Sequence, residues 1–228
     1  MVNLLAPAHE HEFEATHGLP EALPEGEVQL WQGSPDARLL ATQALHLDVV
    51  AGYFALLLAW RGIASLYDGA TLGPTLMAMA GMLPLIGLAC GLLAGIAWLM
   101  ARTTVYTVTN RRVVMRVGIV LSITFNLPFA QIASAGWRER GRGGDIVLSL
   151  SGQDRIAYLH LWPHVRPWQL KRTQPMLRAL ADAHAVAQLL ASALQQAEAA
   201  RQALPLRAVA ATPVTQAQPA RTPLQQAA

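Results

Sequence analysis

Between Asp68 and Arg102 the chain runs for 33 residues without a charge. Within that run, residues 76–100, LMAMAGMLPLIGLACGLLAGIAWLM, exceed the roughly 20 apolar residues that cross a ~30 Å hydrocarbon core. The pattern predicts a transmembrane helix. Pro84 and the glycines 81, 87, 91 and 95 are tolerated there, because neighbouring helices can satisfy a disturbed backbone ladder. Gly87, Gly91 and Gly95 recur every fourth residue on one side, a small face for close helix packing, although small residues are also simply common in such helices. Upstream, LHLDVVAGYFALLLAWRGIASLY, residues 45–67, has a charge-free core of twelve residues between Asp48 and Arg61. It spans only with help from its ends: Asp48 lies within a turn of one end, Arg61 snorkels, and Trp60 and Tyr67 supply an interfacial belt. Asp48 and Arg61 stand about 20 Å apart along a helix and cannot pair within it. A short loop around Asp68 joins the two spans into a helical hairpin over residues 45–101. The hairpin returns the chain to the side it left.

After Arg102 the period changes. VYTVT, RVVMRVG, IVLSITFNL, QIASAGW, DIVLSLSG and RIAYLHLW are short β-branched or alternating runs punctuated by Asn, Gly, Pro and Asp. They predict a small antiparallel sheet domain over residues 102–203. Thr109-Asn110-Arg111 suits the first turn because Asn tolerates positive φ, and RGRGGD from Arg140 to Asp145 reads as a flexible hairpin tip. Asp182 can cap a last helix that places Val186, Leu189, Leu190, Ala193, Leu194 and Ala197 on one face, a stripe that should pack on the sheet. Residues 204–228 turn to Ala, Gln, Pro and Thr and predict a disordered tail. The fold class expected is a membrane α-helical hairpin followed by a β-rich domain of pleckstrin-homology (PH)-like outline, an antiparallel, partly open barrel capped by a C-terminal helix.

Charge sharpens this layout. Residues 1–47 carry seven acids against the single base Arg38, whereas from Arg102 onward 15 Lys and Arg face five acids. Arg102, Arg111, Arg112 and Arg116 follow the second span closely, so the positive-inside rule places both termini in the cytoplasm, with residues 1–44 an acidic cytoplasmic segment. One cysteine, Cys90, lies inside the apolar run, which leaves no disulfide or thiolate-zinc scaffold and makes it a small buried hydrophobe. No cleavable signal peptide is visible at the acidic start. His9 and His11 flank Glu10, and His160 and His164 sit near Trp162, but neither group has the compact ligand set of a metal site, and HExxH, Walker and GxSxG patterns are absent. No catalytic residue, metal or cofactor is expected, and the chain reads as a non-enzyme.

The most distinctive passage is YLHLWPHVRPWQLKRTQPMLR, from Tyr158 to Arg178. Its aromatic and basic groups, Trp162, His164, Arg166, Trp168, Lys171 and Arg172, suit docking to a partner protein or an anionic membrane surface. The plainer reading is a Pro-rich connection with its Trp rings in the core. A pigment-ligating role for His160 or His164 is a further alternative, and nucleic acid is excluded by basic residues spread over a membrane-held domain. LPEALPEGEVQLWQGSPDARLLATQALHL, YTVTNRRVVMRVGIVLSITFNLPFAQI and above all RIAYLHLWPHVRPWQLKRTQPMLRAL resemble the PuhB family of photosynthetic-complex assembly proteins of purple phototrophic bacteria, over roughly Gly18 to Leu190. The resemblance implies a multi-pass protein of the bacterial inner (intracytoplasmic) membrane, without enzymatic activity, that promotes accumulation of the reaction centre and light-harvesting complex 1. Expected partners are reaction-centre and light-harvesting 1 polypeptides or other assembly factors, with anionic lipid and self-association as further contacts. Lipid-driven membrane organisation is the alternative function, with pigment delivery a third. Family members have been described with three spans where these residues supply two.

Overall fold

The computed structural model describes residues 18–19, 21–151, 156–170 and 172–210, with side chains described up to 203. The paired His9 and His11, Lys171 and residues 211–228 of the expected tail lie outside the described residues.

Strand β1 (Gln29–Gly33) and helix α1 (Ala37–Gln43) come first, followed by α2 (Leu47–Tyr67), α3 (Leu72–Ala80) and α4 (Leu83–Thr103). The chain then runs through β2 (Val105–Thr109), β3 (Arg112–Val117), β4 (Ile123–Pro128), β5 (Ile132–Arg140), β6 (Gly143–Leu150), α5 (Tyr158–Leu161), β7 (Met176–Leu180) and α6 (Ala183–Ala210). One antiparallel sheet has the order β1-β2-β3-β4 and a second the order β5-β6-β7. Their inner faces meet in a single core of Tyr106, Val108, Met115, Leu127, Phe129, Ile146, Leu148 and Leu177. The expected stripe of α6 closes it, with Val186, Leu190 and Ala193 buried and Leu189, Leu194 and Ala197 packed alongside.

The first correction concerns the acidic segment. A boundary at residue 44 separates pieces that fold together, because β1 pairs antiparallel with β2 from Gln29↔Thr109 to Gly33↔Tyr106. Four hydrogen bonds fix it. Glu27, nearly buried, accepts from Arg112 Nε at 2.7 Å and Thr109 Oγ1 at 2.8 Å. Asn110 Oδ1 accepts from the Val28 N–H and its Nδ2 donates to the Gly26 carbonyl, both at 3.0 Å. Asn110 therefore serves as a clamp on the N-terminal strand, and positive φ is not its role. The helices from α1 to α4 are thus an excursion between the first two strands of one sheet.

Within that excursion, α2 and the run Leu72–Thr103 are long and apolar enough to cross a membrane. The second run bends at Gly81 and Met82, with Pro84 in the first turn of α4 where its missing N–H costs nothing. Val49, Leu56, Leu85, Leu88 and Leu92 all face outward. Where α2 meets α3, Gly62 lets Met79 Sδ come within 3.0 Å of where a Cβ would stand, and Thr75 Oγ1 donates to Ser65 Oγ at 3.1 Å. A Cβ at Gly87, Gly91 or Gly95 would meet nothing within 4 Å. The expected glycine face is thus unused by the chain's own helices.

Further differences have local causes. The run IVLSITFNL is not one strand: Gly118, at φ +128, turns the chain, and Ile119, Val120 and Leu121 form an exposed tip before β4. RIAYLHLW is not a strand either; it contains α5, and the last strand is instead MLRAL, β7. The expected flexible tip RGRGGD is a two-residue turn at Gly141 and Arg142, closed by pairing of Arg140 with Gly143. Helix α6 continues past Pro205 to Ala210, on Ala- and Leu-rich sequence of high helix propensity.

Gly143 is under β7 and α1: a Cβ there would meet the Leu180 carbonyl oxygen at 2.5 Å and the Leu39 side chain. Gly143→Ala should therefore lower stability by about 1–3 kcal/mol through overpacking, whereas Gly87→Ala, facing open space, should not lower it. Thermal unfolding of the two purified full-length variants in detergent checks this, and equal shifts would show that the Gly143 contact is not limiting.

Candidate functional site

Helix α4 runs into β2 through one residue. Thr104 is fully buried and its N–H donates to the Met100 carbonyl at 3.0 Å. The last turns of α4 are gripped as well: Ala97 and Ala101 are buried, and Ala101 packs with Leu40 of α1 and Ala179 of β7. Ala179 adopts a left-handed φ of +56, a strained conformation for a residue with a Cβ. Bonds on both sides hold it, its N–H donating to Asp145 Oδ1 at 2.9 Å and its carbonyl accepting from the Asp36 N–H at 2.8 Å. Beside it, the buried Arg178 donates from Nη1 to the Pro163 carbonyl and from Nη2 to the Gln43 carbonyl, each at 2.9 Å. One guanidinium thus joins the end of α1, the loop after α5 and β7. Burial holds Arg178 below the usual guanidinium range, with Asp145 opposing the shift.

His164 completes the junction. It is only 1% exposed, Nδ1 lies 2.5 Å from the Tyr106 hydroxyl, and Nε2 lies 3.3 Å from Thr104 Oγ1. The Tyr106 oxygen already accepts the Arg178 N–H at 3.2 Å, so its own proton points to Nδ1. That assigns a neutral imidazole with its proton on Nε2, directed at Thr104. Burial, reinforced by the Arg178 charge, pulls the His164 pKa down to about 3, and burial pushes Tyr106 far above the usual phenol range. With both ring nitrogens engaged, His164 has no lone pair for a pigment and no surface for a partner. Its place among the expected docking residues is corrected: it is a structural pin between the end of α4 and the sheet.

The remaining docking candidates fall into two places. Short ladder contacts continue from β7, with Met176 donating to the His164 carbonyl and Arg166 to the Gln174 carbonyl, each at 3.0 Å. Residues 167–170 and 172–173 therefore lie outside the ladder, with Trp168 95% exposed and Arg172 exposed; Arg166 at the base donates from Nη1 to Gln174 Oε1 at 3.0 Å. Trp162, 47% exposed, is elsewhere. It lines an apolar groove of about 280 Å³ with Met100 and Thr104 of the α4 exit, Val117, Gly118, Ile119, Leu121 and Ile123 of the β3–β4 region, and Leu159, His160, Pro163 and His164. Sequence reasoning found Trp162 but missed the Ile119–Leu121 tip. The signal was present in Gly118, whose positive φ breaks an apolar run that otherwise reads as strand.

The buried imidazole makes stability depend on pH. Unfolded, His164 takes a proton below about pH 6.5; folded, it does so only near pH 3. Its contribution is therefore complete above pH 6.5 and is lost on acidification towards pH 3, at about 1.4 kcal/mol per pH unit. Unfolding free energies between pH 7 and 4 should fall more steeply for the natural protein than for His164→Gln. Parallel curves would mean that the imidazole takes up its proton over the same pH range folded and unfolded.

Comparison with known proteins agrees with this architecture. The bacterial PH domain family matches residues 47–194, beginning in α2 and so leaving out β1, which the structure joins to the same sheet. A Rhodobacter capsulatus protein described as "Uncharacterized 23.7 kDa protein in puhA 5'region" is 36% identical over 192 residues, 82% of this chain and 88% of the relative. That likeness accords with the resemblance to the PuhB family. No solved structure matches significantly. With two antiparallel sheets closed by a C-terminal helix and most of its length matched, the chain belongs to the bacterial PH domain family.

Proposed function

We propose that the protein is a non-enzymatic membrane assembly factor that promotes biogenesis of the photosynthetic reaction centre and light-harvesting 1 complex. The observation that carries the reading is the extensive identity to a protein from the region 5′ of puhA, which supports a photosynthetic setting. The fold adds a physical argument about topology. Because β1 and β2 are hydrogen-bonded, both ends of the helical excursion lie at one place. A chain that crosses a membrane between them crosses it an even number of times. This favours two spans, α2 and the Leu72–Thr103 run, over three. The cluster Arg102, Arg111, Arg112 and Arg116 then puts the PH-like domain in the cytoplasm.

On this reading the rigid junction holds the domain against the membrane, where it meets reaction-centre and antenna polypeptides, other assembly factors or a second copy. Two surfaces are available. The open Gly87, Gly91 and Gly95 face suits a foreign helix inside the bilayer. Outside it, Arg166, Trp168 and Arg172 present aromatic and cationic groups of the kind that dominate interfaces.

The test is affinity capture of the tagged full-length protein from photosynthetically induced membranes, with quantification of co-purifying subunits. The natural protein should enrich reaction-centre or antenna polypeptides. A variant with Arg166, Trp168 and Arg172 all replaced by Ala should melt as the natural protein does, yet lose that enrichment and lower assembled complex. Unchanged complex levels would sink the docking assignment.

A further inference from the structure

The groove at the α4 exit has an unusual rim. Val120 is 91% exposed, Leu121 81%, Leu159 84% and Trp162 47%. Leu121 from the β3–β4 tip and Leu159 and Trp162 from α5 and its end line one groove, and Val120 adjoins Leu121 on the same exposed tip. A rim of large apolar side chains around an apolar groove marks an interaction surface.

Its position says what covers it. The groove wall includes Met100 and Thr104, so the rim surrounds the point where the apolar helix leaves its run. Six residues before Thr104, Trp98 is half exposed and carries the Arg102 guanidinium 5.3 Å from its ring centroid, an aromatic and cationic pairing suited to a lipid headgroup layer. Six residues of helix separate Trp98 from Thr104, a rise of about 9 Å, comparable with the interfacial layer of about 5–7 Å on each side of the hydrocarbon. The buried Thr104, His164 and Ala179 contacts prevent the domain from swinging away.

Charge selects the same partner. The stretches that form the rim and its flanks, residues 112–131 and 156–181, contain no Asp or Glu, while Arg112, Arg116, Arg166, Lys171, Arg172 and Arg178 are all basic. Arg112 is held by Glu27 and Arg178 is buried in the junction, whereas Arg166 and Arg172 are exposed. An apolar tip among bases with no acid is suited to an anionic bilayer interface.

We propose that Val120, Leu121, Leu159 and Trp162 insert into the interfacial layer of the bilayer that α2 and α4 cross, giving the domain a second, monotopic membrane contact beside its covalent one. The proposal rests on the reading that these helices span. The contact is mainly apolar and should resist salt, unlike attachment through basic residues alone, which weakens as ionic strength rises. It leaves the loop carrying Trp168 as the part of the motif free for a protein partner.

The test uses the full chain with Cys90→Ala, which removes the only cysteine. Single cysteines are introduced as Val120→Cys, Leu159→Cys, Leu88→Cys within α4 and Ser134→Cys on β5, and each is labelled with an environment-sensitive fluorophore. The proteins are placed one per nanodisc of anionic lipid carrying nitroxides at headgroup or mid-chain depth. Labels at 120 and 159 should lose emission to headgroup-depth nitroxide several-fold more than the label at 134, equally in low and high salt, while the label at 88 is quenched from mid-chain. Quenching at 88 with 120 and 159 behaving like 134 would overturn the insertion and leave the spanning reading intact. No quenching at 88 would overturn the spanning reading and the proposal with it. Protection of 120 and 159 seen only when two copies share a disc would reassign the rim to contact between copies, also overturning insertion.

Discussion

The structure depends on the pairing of β1 with β2 across the whole helical excursion. Hydrogen bonds between Gln29–Gly33 and Val105–Thr109 close a long loop, and loop-closure entropy opposes them. They persist because the loop is itself helical and because its base is locked by Glu27, Arg112, Thr109 and Asn110. Removing either member of the Glu27–Arg112 pair would leave the other charge poorly compensated beside a buried strand, so the lock is costly to break. Acidic residue and basic hairpin, far apart in the chain, act as one structural unit.

From that closure follows the rigidity of the junction. Once β1 and β2 are adjacent, α1 lies along the end of α4, and β7 can supply Ala179 and Arg178 to the same place. Most of the polar groups there are paired with one another: Tyr106 with His164 and Arg178, His164 with Thr104, Arg178 with two carbonyls; Arg178 Nε and Gln43 Oε1 are the exceptions. A network of this kind specifies one arrangement, since any rotation of the helix relative to the sheet would leave buried donors unpaired. The histidine most conspicuous in the sequence is therefore spent on geometry. Interaction is left to the exposed rings and bases on the loops around it.

The same geometry divides the Tyr158–Arg178 motif by function. Its first part, with Leu159 and Trp162, faces the groove at the helix exit; its middle, with Trp168 and Arg172, stands clear on a separate loop; its end is a buried strand. A contiguous stretch thus divides into a part at the helix exit, an exposed part and a core part. The antiparallel contacts at Val165 and Pro175 hold these parts apart.

The sequence by itself determined the two apolar helices, the change to strand-forming residues after Arg102, and the core stripe of α6, because each is a periodic burial signal carried by neighbouring residues. It offered Trp162, Trp168, Arg166 and Arg172 as docking groups but left open a core position for the Trp rings, which the structure resolves towards exposure. Only the tertiary structure decided that the acidic segment joins the sheet, that Asn110 is a clamp, that MLRAL replaces RIAYLHLW as the last strand, and that His164 is buried. Strand partners far apart in sequence leave no local trace, and a histidine's availability depends on what lies over it. Ile119–Leu121 marks the boundary between the two: its apolar character is plain in the sequence, but its exposure at the helix exit follows from the turn at Gly118 and from where the fold places that turn.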